Sequence, residues 1–411
     1  MQDSAQTIGN RTGRVESAYA WLRLLASVLL GTIGSVGMWS YVVALPAVQA
    51  DFGVARADAS LPYTLAMTGF GIGTVATGRL VDRFGIIAPL TAAALLLGLG
   101  FIASGLAPDI LIFAIAHLLI GIGSSGAFAP LIADISHWFT RRRGVAVALC
   151  ASGNYLGGAV WPPIVQRLIE AVGWRQNQIA IGIVCVATML PLLLALRRRL
   201  AAHRDDAVAV ETSSSNALGL NPIALFALLC LAGVACCIAM SMPQVHIVAY
   251  CSDLGYGAAR GAEMLSFMLG FGFISRVASG FVADRIGGLT TLLIGSIAQA
   301  VALFLYLLLD GLTPLYVISA LFGLFQGGIV PMYAIIVREY FPPRQAGTLV
   351  GLVIMSTIFG MALGGWMSGA IFDLTGSYWQ AFANGFAWNV LNAAIVLFLL
   401  QRHRARRLQY A

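Results

Sequence analysis

The chain has 411 residues and a net charge of +7, with 59% apolar residues and only 10% charged ones. Soluble domains carry about 25% charged residues, so a mean hydropathy of +0.87 excludes ordinary aqueous burial and points to a membrane. All 24 basic residues are arginine, and no soluble domain is available to present them as a basic face, which excludes nucleic-acid binding.

Twelve apolar stretches follow one another, each long enough to cross a bilayer. They are predicted at 19–46, 58–78, 86–106, 110–133, 144–168, 178–196, 222–250, 262–283, 288–309, 314–337, 346–371 and 378–400. The fold class is therefore an all-α membrane protein. Its expected parts are an N-terminal tail (1–18), a six-helix bundle (19–196), a linker (197–221), a second six-helix bundle (222–400) and a C-terminal tail (401–411). The first stretch exceeds a signal-peptide core and should stay as a helix. Arginine clusters at Arg11/Arg14, Arg79/Arg83, Arg141–Arg143, Arg197–Arg199/Arg204, Arg285, Arg338/Arg344 and Arg402–Arg407 lie before the first span or at or after the end of even-numbered ones. The excess of cationic residues on cytoplasmic loops then predicts cytoplasmic termini and linker, and the membrane is expected to be a bacterial inner membrane. The six cysteines fall in or beside apolar spans, with neither metal-ligand nor disulfide spacing. No metal or cofactor is expected.

The chain also repeats itself. Gly78-Arg-Leu-Val-Asp82-Arg83-Phe-Gly85, after span 2, returns as Gly280-Phe-Val-Ala-Asp284-Arg285-Ile-Gly287, after span 8, at an offset of 202 residues. The same offset carries Asp51 onto Asp253, Phe139 onto Phe341, and Gly121 and Gly126 onto Gly323 and Gly328. A six-helix unit has been duplicated. Parallel halves around a central site are one way transporters are built.

The Gly78–Gly85 loop resembles the major facilitator superfamily's signature between its second and third helices, and with the spans and the repeat the resemblance covers nearly the whole chain. The segment from Trp138 to Gly157 looks like the monocarboxylate porter signature entering the fifth helix. His246–Gly255 and Arg276 resemble the bacterial monocarboxylate and oxalate–formate branch. Animal-type members carry an aspartate one turn before the eighth-helix arginine, where this chain has Gly272. The oxalate exchanger's second buried cation has no counterpart, since 346–371 contains no Lys, Arg or His. The resemblance implies a monomer working by alternating access, with Gly78, Asp82, Arg83, Gly280, Asp284 and Arg285 as the conformational switch.

Arg276 carries the functional expectation. It interrupts an apolar run, where an arginine costs about 3 kcal/mol at the bilayer centre and cannot shed its charge. Eight residues before Asp284, it lies about 12 Å from the cytoplasmic end, and its side chain leans toward the midplane. Gly272, Ser279 and Gly280 share its face and are expected to leave room for a ligand. Its repeat equivalent is Thr74, so only one half carries the charge. One buried cation matches one carboxylate, which predicts binding of a small organic monoanion. His246, in span 7, is expected to converge on Arg276 and to carry a coupled proton or close an external gate, with Met242 one turn away as a wall residue. Further wall candidates are Trp39, Tyr41, Phe128, Asn154, Tyr155, Gln326 and Tyr333. His117 is assigned to packing, and Asn389 and Asn392 to interhelical hydrogen bonds.

The function expected is secondary transport of lactate- or pyruvate-like monocarboxylates, coupled to protons. Proton-antiport export of a drug or metabolite is the rival, although no membrane-embedded acid stands out to carry its proton and the Gly-Pro-rich motif of such exporters is only loosely matched at Gly153–Pro163. A non-transporting receptor is the other alternative. No P-loop, nucleophile motif or metal spacing suggests an enzyme.

Overall fold

A computed structural model describes residues 12–13, 16–200 and 219–410. Most of the expected N-terminal tail and linker, and Ala411, lie outside the described residues. Among the described residues, fifteen helices make up the twelve spans. The first half comprises α1 (Ala18–Gly34), α2 (Val36–Phe52), α3 (Arg56–Phe84), α4 (Ile87–Gly105), α5 (Ile110–Ser125), α6 (Ala129–Trp138), α7 (Arg143–Val172) and α8 (Trp174–Leu194). The second comprises α9 (Pro222–Asp253), α10 (Ala258–Ile286), α11 (Gly288–Leu308), α12 (Leu312–Gln326), α13 (Ile329–Tyr340), α14 (Pro343–Thr375) and α15 (Tyr378–Tyr410). A two-residue parallel strand pair, β1 (Thr12–Gly13) with β2 (Arg199–Leu200), joins the start of the described chain to the end of its first half.

The surplus of helices over spans comes from breaks within spans. The first span interrupts at Ser35, the fourth between Ser125 and Ala129, and the tenth between Gln326 and Ile329. Gly126 and Gly328, repeat equivalents, both sit in such breaks, so the duplicated unit kept its kink. Eleven segments combine length with a strongly apolar window. The remaining span is α3, 29 residues long. At a rise of 1.5 Å per residue it reaches about 44 Å, enough to cross. Its hydropathy is lowered by Ser60, Thr64, Thr68, Thr74 and Thr77, whose hydroxyls can bond backward to their own helix, as Thr74 does to Phe70 at 2.8 Å.

Polar and apolar residues are distributed as a lipid solvent demands. Leu99, Leu111, Phe281 and Leu308 lie more than 60% exposed. His117, Asn177, Gln178, His246, Gln299, Gln326, Asn389 and Asn392 are fully buried. In lipid, polar side chains turn toward neighbouring helices. Asn392 illustrates this by donating to Ser296 Oγ at 2.8 Å and accepting from the Tyr333 hydroxyl at 3.0 Å. Such bonds contribute about 0.6 kcal/mol each.

The described residues fall into two compact units, one within Met1–Tyr41 and Thr68–Ala207, the other within Val42–Met67 and Val208–Ala411. In the first, α4 packs on α5 and α8, and α1 on α7. In the second, α9 packs on α14 and α15, α10 on α12, and α11 on α15. Small residues bring the backbones close. In the first unit, Gly69 and Gly73 of α3 lie against Leu118 and Ile122 of α5. In the second, the equivalent helices meet with Gly323 and Gly327 set against Met268 and Gly272 of α10. The contact is repeated, but its space-giving glycines have moved to the other partner.

Candidate functional site

Arg276 sits at this close approach. A Cβ at Gly327 would overlap the Gly272 carbonyl oxygen, and one at Gly328 would overlap Ser279. Gly272 and Ser279 therefore do not leave the open space beside the arginine that their size predicts, whereas Gly280 has open space where a Cβ would stand. The smallness of Gly272 and Ser279 is used to seat α10 against the α12–α13 break. The Gly327 carbonyl is consequently within reach, and Arg276 Nε donates to it at 3.2 Å. Gln326, next in sequence to that carbonyl, is buried with neither amide atom hydrogen-bonded among the described residues. The helix break thus collects a half-buried guanidinium, a peptide carbonyl and an unsatisfied amide.

His246 is placed differently. Its ring is fully buried, with Nε2 2.8 Å from the Gly365 carbonyl and Nδ1 2.9 Å from the Tyr378 hydroxyl. A carbonyl only accepts, so Nε2 carries a proton and Nδ1 of the neutral ring accepts from the phenol. Tyr378 in turn accepts from Arg56 Nη1 at 2.6 Å, and Arg56 forms a forked ion pair with Asp253 at 3.1 and 3.2 Å. The Asp373 carboxylate caps the start of α3, accepting from the backbone N–H groups of Arg56 (2.8 Å) and Ala57 (2.7 Å). An anion there complements the helix dipole. Glycines fit the same surfaces together, with Gly369 against Arg56 and Ser60, and Gly365 against Tyr63. The partners of His246 lie on α14 and α15, whereas Arg276 bonds at the α12–α13 break.

Of the other wall candidates, Trp39 and Asn154 meet, indole Nε1 to Oδ1, at 3.2 Å. Tyr41 is buried edge-on against His117, ring centroids 5.0 Å apart. Phe128 faces Phe70 at 5.9 Å. Tyr155 and Met242 are buried, and the Met242 sulfur accepts from Asn384 at 3.9 Å. Tyr333 is committed to Asn392. Gly78 and Gly280 have open space where a Cβ would stand, and Asp82, Arg83, Asp284 and Arg285 are exposed.

Two arginines went unremarked as site residues in the sequence. Arg56 stands isolated in sequence between Arg23 and Arg79. Arg23 lies within the first apolar stretch, the same signal that singled out Arg276. It is 2% exposed, paired two-pronged with Asp134 at 2.6 and 2.8 Å, stacked on Trp138, and bonded to the carbonyls of Leu196 and Arg198.

The profile of the Major Facilitator Superfamily matches residues 27–318 and 264–409. The chain belongs to the major facilitator superfamily. Within it, this chain is similar to monocarboxylate transporter 13 of Rattus norvegicus, 24% identical over 95% of this chain and 91% of the other. It is also similar to the aspyridones efflux protein apdF of Emericella nidulans, 24% identical over 80% of this chain and 65% of that one. The fold matches a bacterial homolog of the human lysosomal transporter Spinster, crystallised inward-facing and occupied, with a TM-score of 0.69 at 15% identity over 96% and 97% of the two chains. As a member of this superfamily the chain is a multi-pass membrane transporter of small molecules.

Proposed function

We propose that this transporter moves small organic monocarboxylates together with a proton. The observation that carries the reading is Arg276, a permanent cation inside an apolar span and held by Gly327 at a helix break. A carboxylate bound two-pronged by a guanidinium is a strong, directional contact, and Gln326 supplies an adjacent amide. The similarity to a monocarboxylate transporter along nearly the whole chain supports the same class. A lone anion entering against a negative interior costs about 2.3 kcal/mol per 100 mV, so uptake favours a cotransported proton.

His246 is the proposed proton carrier, and its position ties the proton to a lock. Protonation turns Nδ1 into a donor, so two cations, His246 and Arg56, compete for one phenol oxygen on Tyr378. Weakening that bond loosens the hairpin of 42–67 from the helices after the linker. The remaining roles follow the duplicated architecture. Bundles 19–196 and 222–400 rock as a monomer in a bacterial inner membrane, with cytoplasmic termini. The Gly78–Arg83 and Gly280–Arg285 loops switch state, and Trp39, Tyr41, Phe128, Asn154, Tyr155, Met242 and Tyr333 shape the walls.

Proteoliposome uptake tests this. Lactate or pyruvate accumulation should rise when the outside is acidified, and oxalate should compete far less well, because a dianion leaves excess charge beside one cation. Equal inhibition by oxalate overturns the monoanion assignment. The similarity to an efflux protein favours a second reading, outward transport in exchange for a proton. In that case, an inward-acid gradient would fail to drive uptake.

A further inference from the structure

A cavity of about 600 Å³ opens in the first unit, with neither Arg276 nor His246 in its lining. Its walls come from the loop between α3 and α4, the ends of α1 and α6, and the segment leaving α8, including Arg23, Asp82, Arg83, Asp134, Arg197 and Arg198. The forked Arg23–Asp134 pair neutralises itself. Arg83, Arg197 and Arg198 are exposed, and none has an ion-pair partner among the described residues. Asp82 offsets only one of them, so the lining is net cationic. Arg23 also shapes the rim, because its bonds to the Leu196 and Arg198 carbonyls at 2.8 and 3.0 Å fix the backbone that presents Arg197 and Arg198.

The cavity borders an apolar surface. Phe84 lines it while 54% exposed, and Leu80, one helical turn back, is 45% exposed. Trp21, Leu22 and Leu194, near the ends of the flanking helices, are exposed as well. Arginines at the edge of a greasy surface suit an amphiphile with an anionic head. We propose that this cavity binds a phosphate-bearing anion, presented in the membrane as the headgroup of an anionic phospholipid. Guanidinium forks match phosphate oxygens, and the volume accommodates a phosphoglycerol group. The acyl chains would lie along Phe84 and Leu80.

Native mass spectrometry of the full chain, titrated with phosphatidylglycerol or phosphatidylcholine, tests the site. Phosphatidylglycerol should be retained preferentially, and the Arg197→Ala/Arg198→Ala double variant should lose that retention by about tenfold or more. Arg402→Ala, an arginine outside the cavity lining, should retain it. Thermal melting in lipid-free detergent with inorganic phosphate separates the sources. Stabilisation that the double variant abolishes assigns the site to a soluble phosphate compound, and preference for phosphatidylglycerol without it assigns the site to lipid. Equal retention of both lipids with no phosphate effect overturns the proposal. So does a double variant that melts normally yet keeps the preference.

Discussion

Arg56 and Asp253 meet in a two-pronged ion pair although 197 residues separate them in sequence. The pair fastens the hairpin between spans 1 and 2 to the end of span 7, and Tyr378 and Asp373 complete the fastening from spans 12 and 11. The Arg56 side chain joins Asp253 and Tyr378, and its backbone N–H, with that of Ala57, holds Asp373.

Arg56→Ala should therefore destabilise the protein more than Asp253→Asn. The alanine removes the bonds to both Asp253 and Tyr378, whereas the asparagine leaves Tyr378 in place. Asp253 is 36% exposed in its side chain, which limits the pair to about 1 kcal/mol. Melting of the single and double variants in detergent should show the double less affected than the sum of the singles. Strict additivity would deny the coupling.

Arg276→Ala should abolish substrate binding and transport while the protein remains inserted. Arg276→Lys should restore less than a tenth of transport, because an ammonium cannot grip a carboxylate with two parallel bonds. Proteoliposome uptake and substrate-induced thermal shifts measure both, and normal binding by the alanine variant would make Arg276 structural.

His246→Gln should keep counterflow of preloaded substrate and lose accumulation driven by a pH gradient. Glutamine can still donate to Gly365 but does not titrate near neutrality. If both activities fall together, His246 serves the lock alone, and the proton travels with the carboxylate.

Gly327→Ala should lower the melting temperature by several degrees, since its methyl overlaps the Gly272 backbone and forces a packed helix pair apart. Gly280→Ala should leave stability equal or raise it by up to about 1 kcal/mol, since open space surrounds that helical position. If Gly280 belongs to the switch, transport should slow in this stable variant. A fully active Gly280→Ala would detach that glycine from the switch.

The helical architecture and its duplication were legible in the sequence because both are local or periodic signals. Apolar length marks a span wherever it occurs, and Asp82 and Asp284 declare the repeat by a constant register. Arg276 was legible because a charge in an apolar run is conspicuous without knowledge of its neighbours. Arg23 gave the same signal, but being near the first span's start it was absorbed into the apolar count. Arg56 could not be read in this way, because its meaning depends on Asp253, Asp373 and Tyr378, which only the folded chain assembles. Gly272 shows a different limit. A missing side chain leaves space for a ligand or for another backbone, and only the position of Gly327 decides between them.

The assignment of 42–67 to the second compact unit means that the chain's midpoint is not its structural seam. Cutting the polypeptide in its linker would release two fragments of nearly equal length, yet the first would still carry the hairpin that completes the second. Co-expressed fragments would thus be bound by a borrowed segment, in the manner of a domain-swapped pair. The second fragment made alone would leave Asp253, Asp373 and Tyr378 facing an empty seat.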